Sequence, residues 1–442
     1  MLLLLACARP VVPLEAGTLR VDGTRLLDAN GRVVTLRGVN AGGRAKFAPY
    51  VPFDFDDYDA DLDAYLDRAQ SWGIDVLRVP FTWAAMEPTQ GADDEEWLGR
   101  YDALLDGAWE RGMWTVVDNH QDIYSEVYCG DGFPAWTVAD PPEPHHDCAD
   151  WFFAYVSGDP DVDAAFDAFW DDRTGVRTAH AEMWERMAAR HADRPGVIGY
   201  ELLNEPHSGT LGDEWGTIYT DFVEEEAGAV QAVDPDALVF FDATGLDAVD
   251  QSPAFERPDG ENLVFAPHFY DATVFLGGTP EPEAVEAGLQ RWTDLGASWD
   301  LPVLIGEVGV DPASEAAESY GETVWDAVAD QGLGATWWEY SVAEEAWNEE
   351  HLSLVDGDGQ EEAVLVDALA RPYVALLAGD GLTTERDGDT WVFRWTGAGV
   401  SELRWPTRSG EPTVEVEGGE FLVDGGRVHV EAEGAVVVRL EP

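Results

Sequence analysis

The sequence predicts an α/β protein: a (β/α)₈ barrel of the TIM type, followed by a small C-terminal antiparallel β-sandwich. Eight short apolar segments alternate with longer amphipathic segments, which is the pattern of βα units around a parallel sheet. Most of the eight end in polar residues, where a barrel builds its site. Beyond Tyr373 the helical periodicity stops, and short alternating segments separated by glycines follow.

The predicted strands are apolar runs of five to eight residues. They cover residues 33–40, 75–81, 114–120, 197–204, 238–242, 263–268, 303–307 and 335–340. Helices are predicted at 59–70 and 101–111, with Gly73 and Gly112 as C-terminal caps. Residues 19–34 predict a hairpin that plugs the bottom of the barrel, and its Asn30-Gly31 turn suits two residues with positive φ.

The length of 442 residues suits a large barrel with an accessory domain. We expect a leader and linker over residues 1–18, the catalytic barrel over 19–377 and the β-sandwich over 378–442. No repeat of 20–50 residues is present. No apolar stretch of about 20 residues predicts a membrane-spanning helix.

The net charge of −63, from 88 acidic and 25 basic residues, excludes two classes of partner. Such a surface repels nucleic acid and anionic membranes, so we expect neither as a ligand. High ionic strength would screen the self-repulsion, which favours a salty extracellular habitat. Biased base composition combined with an acidic solubility strategy explains the charge equally well.

The three cysteines predict an exported protein. Cys7 ends Leu-Leu-Ala-Cys after a run of leucines, as in bacterial lipoprotein signals, although no positive charge precedes it. We therefore expect a secreted or cell-envelope protein, anchored to the membrane through a lipidated Cys7. Cys129 and Cys148 lie in a Pro- and Asp-rich stretch and would form a disulfide there. Two unpaired thiols are the alternative.

Polar residues gather at or near the ends of the predicted strands, which is where barrel enzymes place their active sites. They are Asn40, Arg78, His120, Asn204, Glu205, Asp242, His268, Tyr270, Glu307 and Trp338. A purely structural barrel does not need so many hydrogen-bonding groups there. The set therefore predicts an active site.

Two of these residues, Glu205 and Glu307, suggest the chemistry. They lie about a hundred residues apart in sequence but on facing sides of a barrel. Glycoside hydrolysis uses two carboxyl groups, and a separation of about 5 Å gives retention through a glycosyl-enzyme intermediate. The pattern predicts Glu205 as the general acid/base and Glu307 as the nucleophile. Burial of either glutamate in an ion pair, for example with Arg78, is the alternative.

Several motifs resemble glycoside hydrolase family 5 over roughly residues 19–377. The two catalytic signatures are similar to Asn204-Glu205-Pro206 and Gly306-Glu307. The other pocket positions of the family match Arg78 in LRVPFTW, His120 in VVDNHQD, His268 and Tyr270 in APHFYD, and Trp338 in WWEYS. The resemblance implies a retaining β-glycosidase on a (β/α)₈ barrel.

Within that family, the endoglycoceramidase branch is the most similar. Lys46 in GGRAKFAPY, the stretch FTWAAMEPTQG and the run from His120 to Ser125 carry this resemblance. It implies release of a whole glycan from ceramide, with Lys46, His120 and Asp122 on the sugar nearest the bond. Because Lys46 is the only lysine, a retained contact is favoured over a leftover surface residue. Aromatic residues between 129 and 152 would grip lipid or sugar, or pack within their loop.

Physical chemistry suggests roles for the remaining site residues. Arg78 and Tyr270 would hold Glu307 ionised and oriented, and Asn204 would bind the 2-hydroxyl of the sugar. Trp338 would form a flat apolar floor for a sugar ring. His120 and His268 would orient hydroxyls or carboxyls. Burial and the charge of Glu307 would raise the pKa of Glu205, so that Glu205 is protonated near neutral pH.

The sequence predicts no metal and no cofactor. Metal binding by His120 and His268 is the alternative, but neither an HExxH motif nor clustered Cys/His spacing supports it. The run His145-His146-Asp147 predicts a solvated loop, because adjacent side chains rarely bind one ion together.

Two other functions stay open. The first is another substrate of the same family, with β-1,4-glucanase, mannanase or β-glucosidase activity on a glycolipid or oligosaccharide. The second is a catalytically inactive carbohydrate-binding lipoprotein, which would have lost one carboxylate or its supporting Arg78 and Tyr270. All of these residues are present. We expect a monomer.

Overall fold

A computed structural model describes residues 11–13, 17–53, 55–138, 158–342 and 350–442. Several predictions lie outside the described residues. They concern Cys7, Cys148, the His145-His146-Asp147 run, Trp151 and Phe152. Within the described part, no helix combines the length and apolarity that a membrane crossing requires.

Eight parallel strands form the barrel, so the predicted fold class is confirmed. In chain order they are β4 (Arg37–Asn40), β5 (Val76–Phe81), β6 (Trp114–Asn119), β7 (Val197–Glu201), β8 (Leu238–Phe241), β9 (Leu263–Phe265), β10 (Leu304–Val308) and β11 (Gly334–Trp337). Each pairs with the next strand in sequence except β9, and β11 pairs with β4. Parallel bridges from Phe265 to Val303 and from Phe269 to Val308 join β9 to β10 and close the ring.

Helices fill the segments between the strands and cover the barrel. The described helices are Tyr58–Ser71, Trp83–Met86, Glu95–Glu110, Pro160–Trp170, Val176–His191, Trp215–Val233, Asp247–Asp250, Ala272–Phe275, Pro282–Trp299, Ala317–Gln331 and Ala363–Leu369. Gly73 and Gly112 follow two of them with φ of 78° and 72°, as predicted. The second of these two helices starts at Glu95, earlier than predicted, because Asp94 accepts hydrogen bonds from the Glu96 and Trp97 amides.

The first predicted strand, residues 33–40, is wrong as one element. Residues 33–34 form β3, which pairs antiparallel with β2 (Arg25–Leu27), whereas β4 starts only at Arg37 and joins the barrel. The chain therefore changes sheets at Thr35 and Leu36. The hairpin turn also differs, because only Gly31 has a positive φ. The Asp28 carboxylate accepts the Asn30 and Arg32 amides and closes the turn.

The N-terminal strands β1 (Arg20–Asp22), β2 and β3 cover the bottom of the barrel. Leu19, Leu26 and Val34 share one apolar cluster with Val76 and Leu238, which begin barrel strands. The Val21 amide also donates to the Asn262 side chain below β9, at 3.2 Å. This end of the barrel is therefore closed, and the cavity lies at the opposite end.

The C-terminal region is antiparallel, as predicted, and its strands are joined in one hydrogen-bonded path. Its strands are β12 (Tyr373–Leu377), β13 (Asp380–Asp387), β14 (Thr390–Arg404), β15 (Thr413–Asp424) and β16 (Arg427–Glu441). β14 and β16 pair along their whole length, so the hydrogen-bonded ladder is not interrupted. The sheet starts before residue 378, since β12 pairs with both β3 and β14. One apolar cluster fills its inner face, including Phe393, Leu403 and Val438.

Candidate active site

The two predicted catalytic carboxylates meet at the C-terminal end of the barrel. Glu307 belongs to β10, and Glu205 follows the end of β7 by four residues. A carboxylate oxygen of one lies within 4.8 Å of a carboxylate oxygen of the other. This separation is close to the ~5 Å at which a carboxylate can attack the anomeric carbon while the other protonates the leaving oxygen.

Arg78 and Tyr270 hold the Glu307 carboxylate from two sides. The Arg78 guanidinium donates to Oε1 at 2.9 Å, and the Tyr270 hydroxyl donates to Oε2 at 2.9 Å. Burial raises the pKa of Glu307 to about 7, whereas His268 and Arg78 act against this rise. Both hydrogen bonds fix the orientation of Glu307 and favour its ionised form.

Glu205 is the more easily protonated member of the pair. Its Oε1 lies 2.9 Å from Nδ1 of His268. Burial raises the pKa of Glu205 to about 8, and the charge of Asp122 acts in the same direction. The sequence led us to expect that the charge of Glu307 raises this pKa, but the largest charge effect in that direction comes from Asp122. Glu307 ionises before Glu205, which is the order that a nucleophile and a general acid need.

Arg78 also organises the floor of the site. Its guanidinium binds the Glu201 carboxylate through two hydrogen bonds of 2.8 Å, and it donates to the Asn40 and Asn204 side-chain oxygens at 2.9 and 2.8 Å. Sequence reasoning missed Glu201. Its only signal was a carboxylate inside the buried, apolar run of β7.

Hydrogen bonds to both ends of the Asn204 side-chain amide fix its orientation. Its Oδ1 accepts from Arg78, and its Nδ2 donates to the main-chain oxygen of Gln121 at 3.1 Å. An amide NH₂ group has two hydrogens, so a second donor is left for a ligand. The position fits the predicted contact with the sugar 2-hydroxyl.

Lys46, Asp122, His120 and Trp338 form one wall of the cavity. The Lys46 ammonium pairs with the Asp122 carboxylate and lies 4.5 Å from the centroid of the Trp338 ring. The His120 ring stacks on the same indole at 5.1 Å and is held by Asp118 at 2.9 Å. Burial lowers the pKa of His120 well below its usual value. The ring is therefore neutral, with one nitrogen as a donor and the other as an acceptor.

Glu350 completes this wall and was not predicted. Its two carboxylate oxygens bind the Lys46 ammonium at 3.2 Å and the Trp338 indole N–H at 2.7 Å. No motif or predicted strand marks this position, since it approaches the site from a loop. Together these residues present charged and polar groups beside an aromatic face, which is a typical sugar-binding surface.

The cavity above the carboxylates has a volume of about 750 Å³ and is lined by polar and apolar side chains. Asp122 and Glu350 are polar lining residues that meet at the Lys46 ammonium. Leu246, Val249 and Val274 are apolar lining residues, and Asp271, Asp311 and Glu315 also line the cavity. Leu246 is 50% exposed, and Leu276, next in the chain to the lining residue Gly277, is 86% exposed. The cavity therefore combines a polar cluster with exposed apolar side chains, which we call the apolar rim.

Two of the loop aromatics do not reach this cavity. Phe133 is buried and stacks on Tyr124 with centroids 4.2 Å apart. The Trp136 indole donates to the main-chain oxygen of Glu87 at 2.9 Å. For these two residues, the observed role is contact with neighbouring segments of the chain. Cys129, in the same loop, is disulfide-bonded.

Two groups of side chains in the described residues could geometrically hold a metal ion. They are Glu201, Asp242 and His268, and Glu205, His268 and Glu307. Arg78 already binds Glu201 and Glu307, so a cation would meet a guanidinium in either group. The donor sets fit a proton-transfer site better than a metal centre.

Known proteins that are similar to this chain are glycoside hydrolases, in agreement with the geometry of the site. The family model for cellulase, glycosyl hydrolase family 5, matches residues 27–344. Endoglycoceramidase I of Rhodococcus hoagii (strain 103S) is 30% identical over 289 residues, which are 61% of this chain and 56% of that protein. Endoglucanase CelA of Streptomyces lividans is 26% identical, over 74% of this chain and 57% of that protein. The chain thus matches little more than half the length of these curated relatives.

A solved structure extends the likeness to the whole fold. Endo-glycoceramidase II from Rhodococcus sp., in complex with a five-membered iminocyclitol, superposes with a TM-score of 0.79 and 25% identity. The match covers 96% of this chain and 99% of that one. The C-terminal sheet is therefore included in the similarity.

Proposed function

We propose, for a chain that belongs to glycosyl hydrolase family 5, the hydrolysis of the β-glycosidic bond between a glycan and ceramide with retention of configuration. One observation carries the proposal. The carboxylate pair lies in a cavity whose lining combines a polar and aromatic cluster with exposed apolar side chains. A glycolipid has the same two-part chemistry. The likeness to two endoglycoceramidases supports this choice of substrate.

The first step forms a glycosyl-enzyme intermediate. Glu307 Oε attacks the anomeric carbon, and the bond to the ceramide oxygen breaks while Glu205 donates its proton to that oxygen. Tyr270 and Arg78 direct Glu307 toward the carbon through their hydrogen bonds. Asn204 donates to the 2-hydroxyl, a contact that strengthens as the oxocarbenium character develops.

The second step returns the enzyme to its starting state. Once Glu307 is esterified, its negative charge is gone, so Glu205 loses its proton more readily and can act as a base. Glu205 takes a proton from water, the resulting hydroxide attacks the anomeric carbon, and the bond to Glu307 breaks. Two inversions give net retention.

The apolar rim suits the ceramide. Leu246, Val249 and Leu276 are among the few large hydrophobic side chains that are exposed on the described surface. Covering them with acyl chains removes apolar area from water, at about 25 cal/mol per Å². The polar wall of Lys46, Asp122 and Glu350 suits the sugar hydroxyls instead, which favours the glycan on that side.

We also propose that the protein acts outside the cytoplasm as a monomer. The disulfide at Cys129 supports an oxidising compartment. Anchoring through a lipidated Cys7 remains part of this proposal. The protein is extracted with detergent from its native membrane fraction and digested, and the Cys7 peptide is analysed by mass spectrometry. If the proposed lipidation is correct, this peptide carries the additional mass of a diacylglyceryl group.

A substrate panel tests the activity. The protein is incubated with glucosylceramide, lactosylceramide, galactosylceramide, cello-oligosaccharides and manno-oligosaccharides, with Glu307→Gln as the matched inactive variant. We expect an intact glycan and free ceramide from a glycolipid, absent in the variant. Cleavage of the lipid-free oligosaccharides alone would favour the endoglucanase-like alternative, which the similarity to CelA supports. No cleavage of any member would favour the carbohydrate-binding alternative.

A further inference from the structure

Asp242 lies outside the residues given a role so far, yet it contacts two of them. It directly follows β8 and is 1% exposed. Its Oδ2 accepts a hydrogen bond from the Glu205 amide at 3.0 Å and lies 3.2 Å from Nε2 of His268. Its Oδ1 accepts from the Ala243 amide at 2.6 Å. One carboxylate oxygen is therefore shared by the main chain of Glu205 and the ring of His268.

The hydrogen bond from the Glu205 amide to Asp242 stabilises a strained backbone conformation. Glu205 has a φ of 38°, in the left-handed region that favours glycine. Residues held there persist only when the surroundings fix them. The hydrogen bond to Asp242, together with that from Gln121 Nε2 to the Glu205 carbonyl at 2.9 Å, holds the backbone at both sides of this residue.

The contact between Asp242 and His268 influences which ring nitrogen of His268 carries the proton. A neutral imidazole carries one proton, so one of its nitrogens donates and the other accepts. Nδ1 lies 2.9 Å from Glu205 Oε1, and Nε2 faces Asp242 but has no aligned hydrogen-bond partner among the described residues. When Asp242 is ionised, its charge beside Nε2 favours the proton on that nitrogen. Nδ1 then accepts a hydrogen bond from the protonated carboxyl of Glu205.

Burial and the charges of Glu201 and Glu205 raise the pKa of Asp242 well above its usual range, whereas Arg78 acts against this rise. Glu201 lies near both Asp242 and His268, but Arg78 binds it through two hydrogen bonds and offsets its charge. On the other side, Glu307 Oε2 lies 3.4 Å from Nδ1 of His268. The three groups Glu205, His268 and Asp242 thus form a row, with the proton donor at the end that faces the cavity.

We propose that Asp242 is a positioning residue for the general acid: through its Oδ2 it fixes the backbone of Glu205 and the tautomer of His268, so that Glu205 presents its proton to the leaving oxygen. This inference rests on the proposed function and deepens it. It requires no new reactant, because the proton that leaves Glu205 is the one counted in the first step above.

The test compares two aryl β-glycosides of one sugar that the wild type cleaves. Dinitrophenolate departs without a proton, whereas phenolate needs the general acid. Asp242→Asn keeps an acceptor for the Glu205 amide but removes the charge beside His268. General acid catalysis contributes about 10²- to 10⁴-fold, so we expect partial loss of this contribution to lower kcat/KM for the phenyl glycoside about 10- to 100-fold more than for the dinitrophenyl glycoside. Because both values come from one preparation, their ratio does not depend on the fraction of folded enzyme.

Two further variants separate this effect from others. Tyr270→Phe acts on the nucleophile, so it should lower both values equally. Glu226→Gln removes another buried carboxylate that binds a histidine, His180, at 3.0 Å and lies away from the cavity, so it should leave the ratio unchanged. If Asp242→Asn does not fold, Asp242→Ser takes its place, since the hydroxyl is a smaller acceptor.

An unchanged ratio in the Asp242 variants, or an equal loss on both substrates, would overturn the inference while leaving the glycosidase in place. A wild type that cleaves no aryl glycoside and no member of the substrate panel would instead contradict the proposed function, and the inference would fall with it.

Discussion

At the scale of single residues, the site consists of two carboxyl groups made different by their surroundings. Glu307 accepts from Arg78 and Tyr270, whereas Glu205 lies against His268. Both carboxyl groups are raised in pKa by burial, to about 7 for Glu307 and about 8 for Glu205. The same residue type can therefore take the two proposed roles, nucleophile and acid.

This difference predicts a narrow pH optimum. Below about 7, Glu307 becomes protonated and cannot attack, and above about 8, Glu205 loses the proton that it must donate. We expect a bell-shaped plot of kcat/KM against pH for a phenyl glycoside, with its maximum between these values. For a dinitrophenyl glycoside the high-pH limb should disappear and the low-pH limb should stay. A high-pH limb that is identical for both substrates would contradict the assignment of Glu205.

Sequence patterns reveal these residues to different degrees. Glu205 and Glu307 lie in short motifs at strand ends, so their placement could be predicted from local pattern. Glu201 and Glu350 could not, because their contacts with Arg78 and Lys46 depend on distances between distant segments. Asp242 was recognised as a polar strand end, but nothing in the sequence shows that its oxygen contacts both Glu205 and His268.

At the scale of elements, strand positions were more predictable than their boundaries. Apolar runs mark the barrel strands, but the break at Thr35 and Leu36 has no local signal, because no glycine or proline occurs in residues 33–37. The earlier start of the helix at Glu95 depends on a single cap, Asp94. Helix ends were clearer, since Gly73 and Gly112 have the positive φ that their positions require.

Two helix-capping glycines provide a matched test of this view. Gly73 (φ 78°) and Gly332 (φ 67°) both follow helices, but a Cβ on Gly73 would lie 2.9 Å from the Pro406 nitrogen of the C-terminal region. Nothing lies within 4 Å of a Cβ on Gly332. We expect Gly332→Ala to reduce the free energy of unfolding by ~1 kcal/mol through backbone strain alone.

Gly73→Ala should cost about 1–3 kcal/mol more, because the added methyl group meets main-chain atoms that cannot move independently. Denaturation in urea, with the midpoint and slope of each variant compared to the wild type, measures both values. An equal decrease in the free energy of unfolding of the two variants would contradict this expectation. It would show that the segments around Gly73 and Pro406 move apart to accommodate a methyl group at little energetic cost.

At the scale of the whole molecule, the C-terminal sheet and the barrel are joined through the N-terminal strands. β3 pairs with β12, so residues near both ends of the described chain share one sheet. The alternating pattern after Tyr373 predicts antiparallel strands but not their number of layers. Whether strands form one sheet or two depends on pairings such as that of β14 with β16, which alternation alone does not specify.

The charge of the molecule gives a further prediction. A net charge of −63 produces self-repulsion in the compact state, which salt screens over a Debye length of ~10 Å at 0.1 M and ~3 Å at 1 M. We expect the melting temperature to rise by several degrees from about 0.05 to 1 M NaCl. Sorbitol at the same osmolality serves as the uncharged control. An equal rise in both solutions would argue against charge screening.

The stereochemistry of the released sugar tests the central claim most directly. Lactosylceramide is incubated with the protein inside an NMR spectrometer, and the anomeric proton of the first lactose formed is recorded before mutarotation. A pair of carboxylates within 4.8 Å predicts β-lactose first, with ceramide in equal amount and no product from Glu307→Gln. The appearance of α-lactose first, or of galactose before any ceramide, would contradict the account.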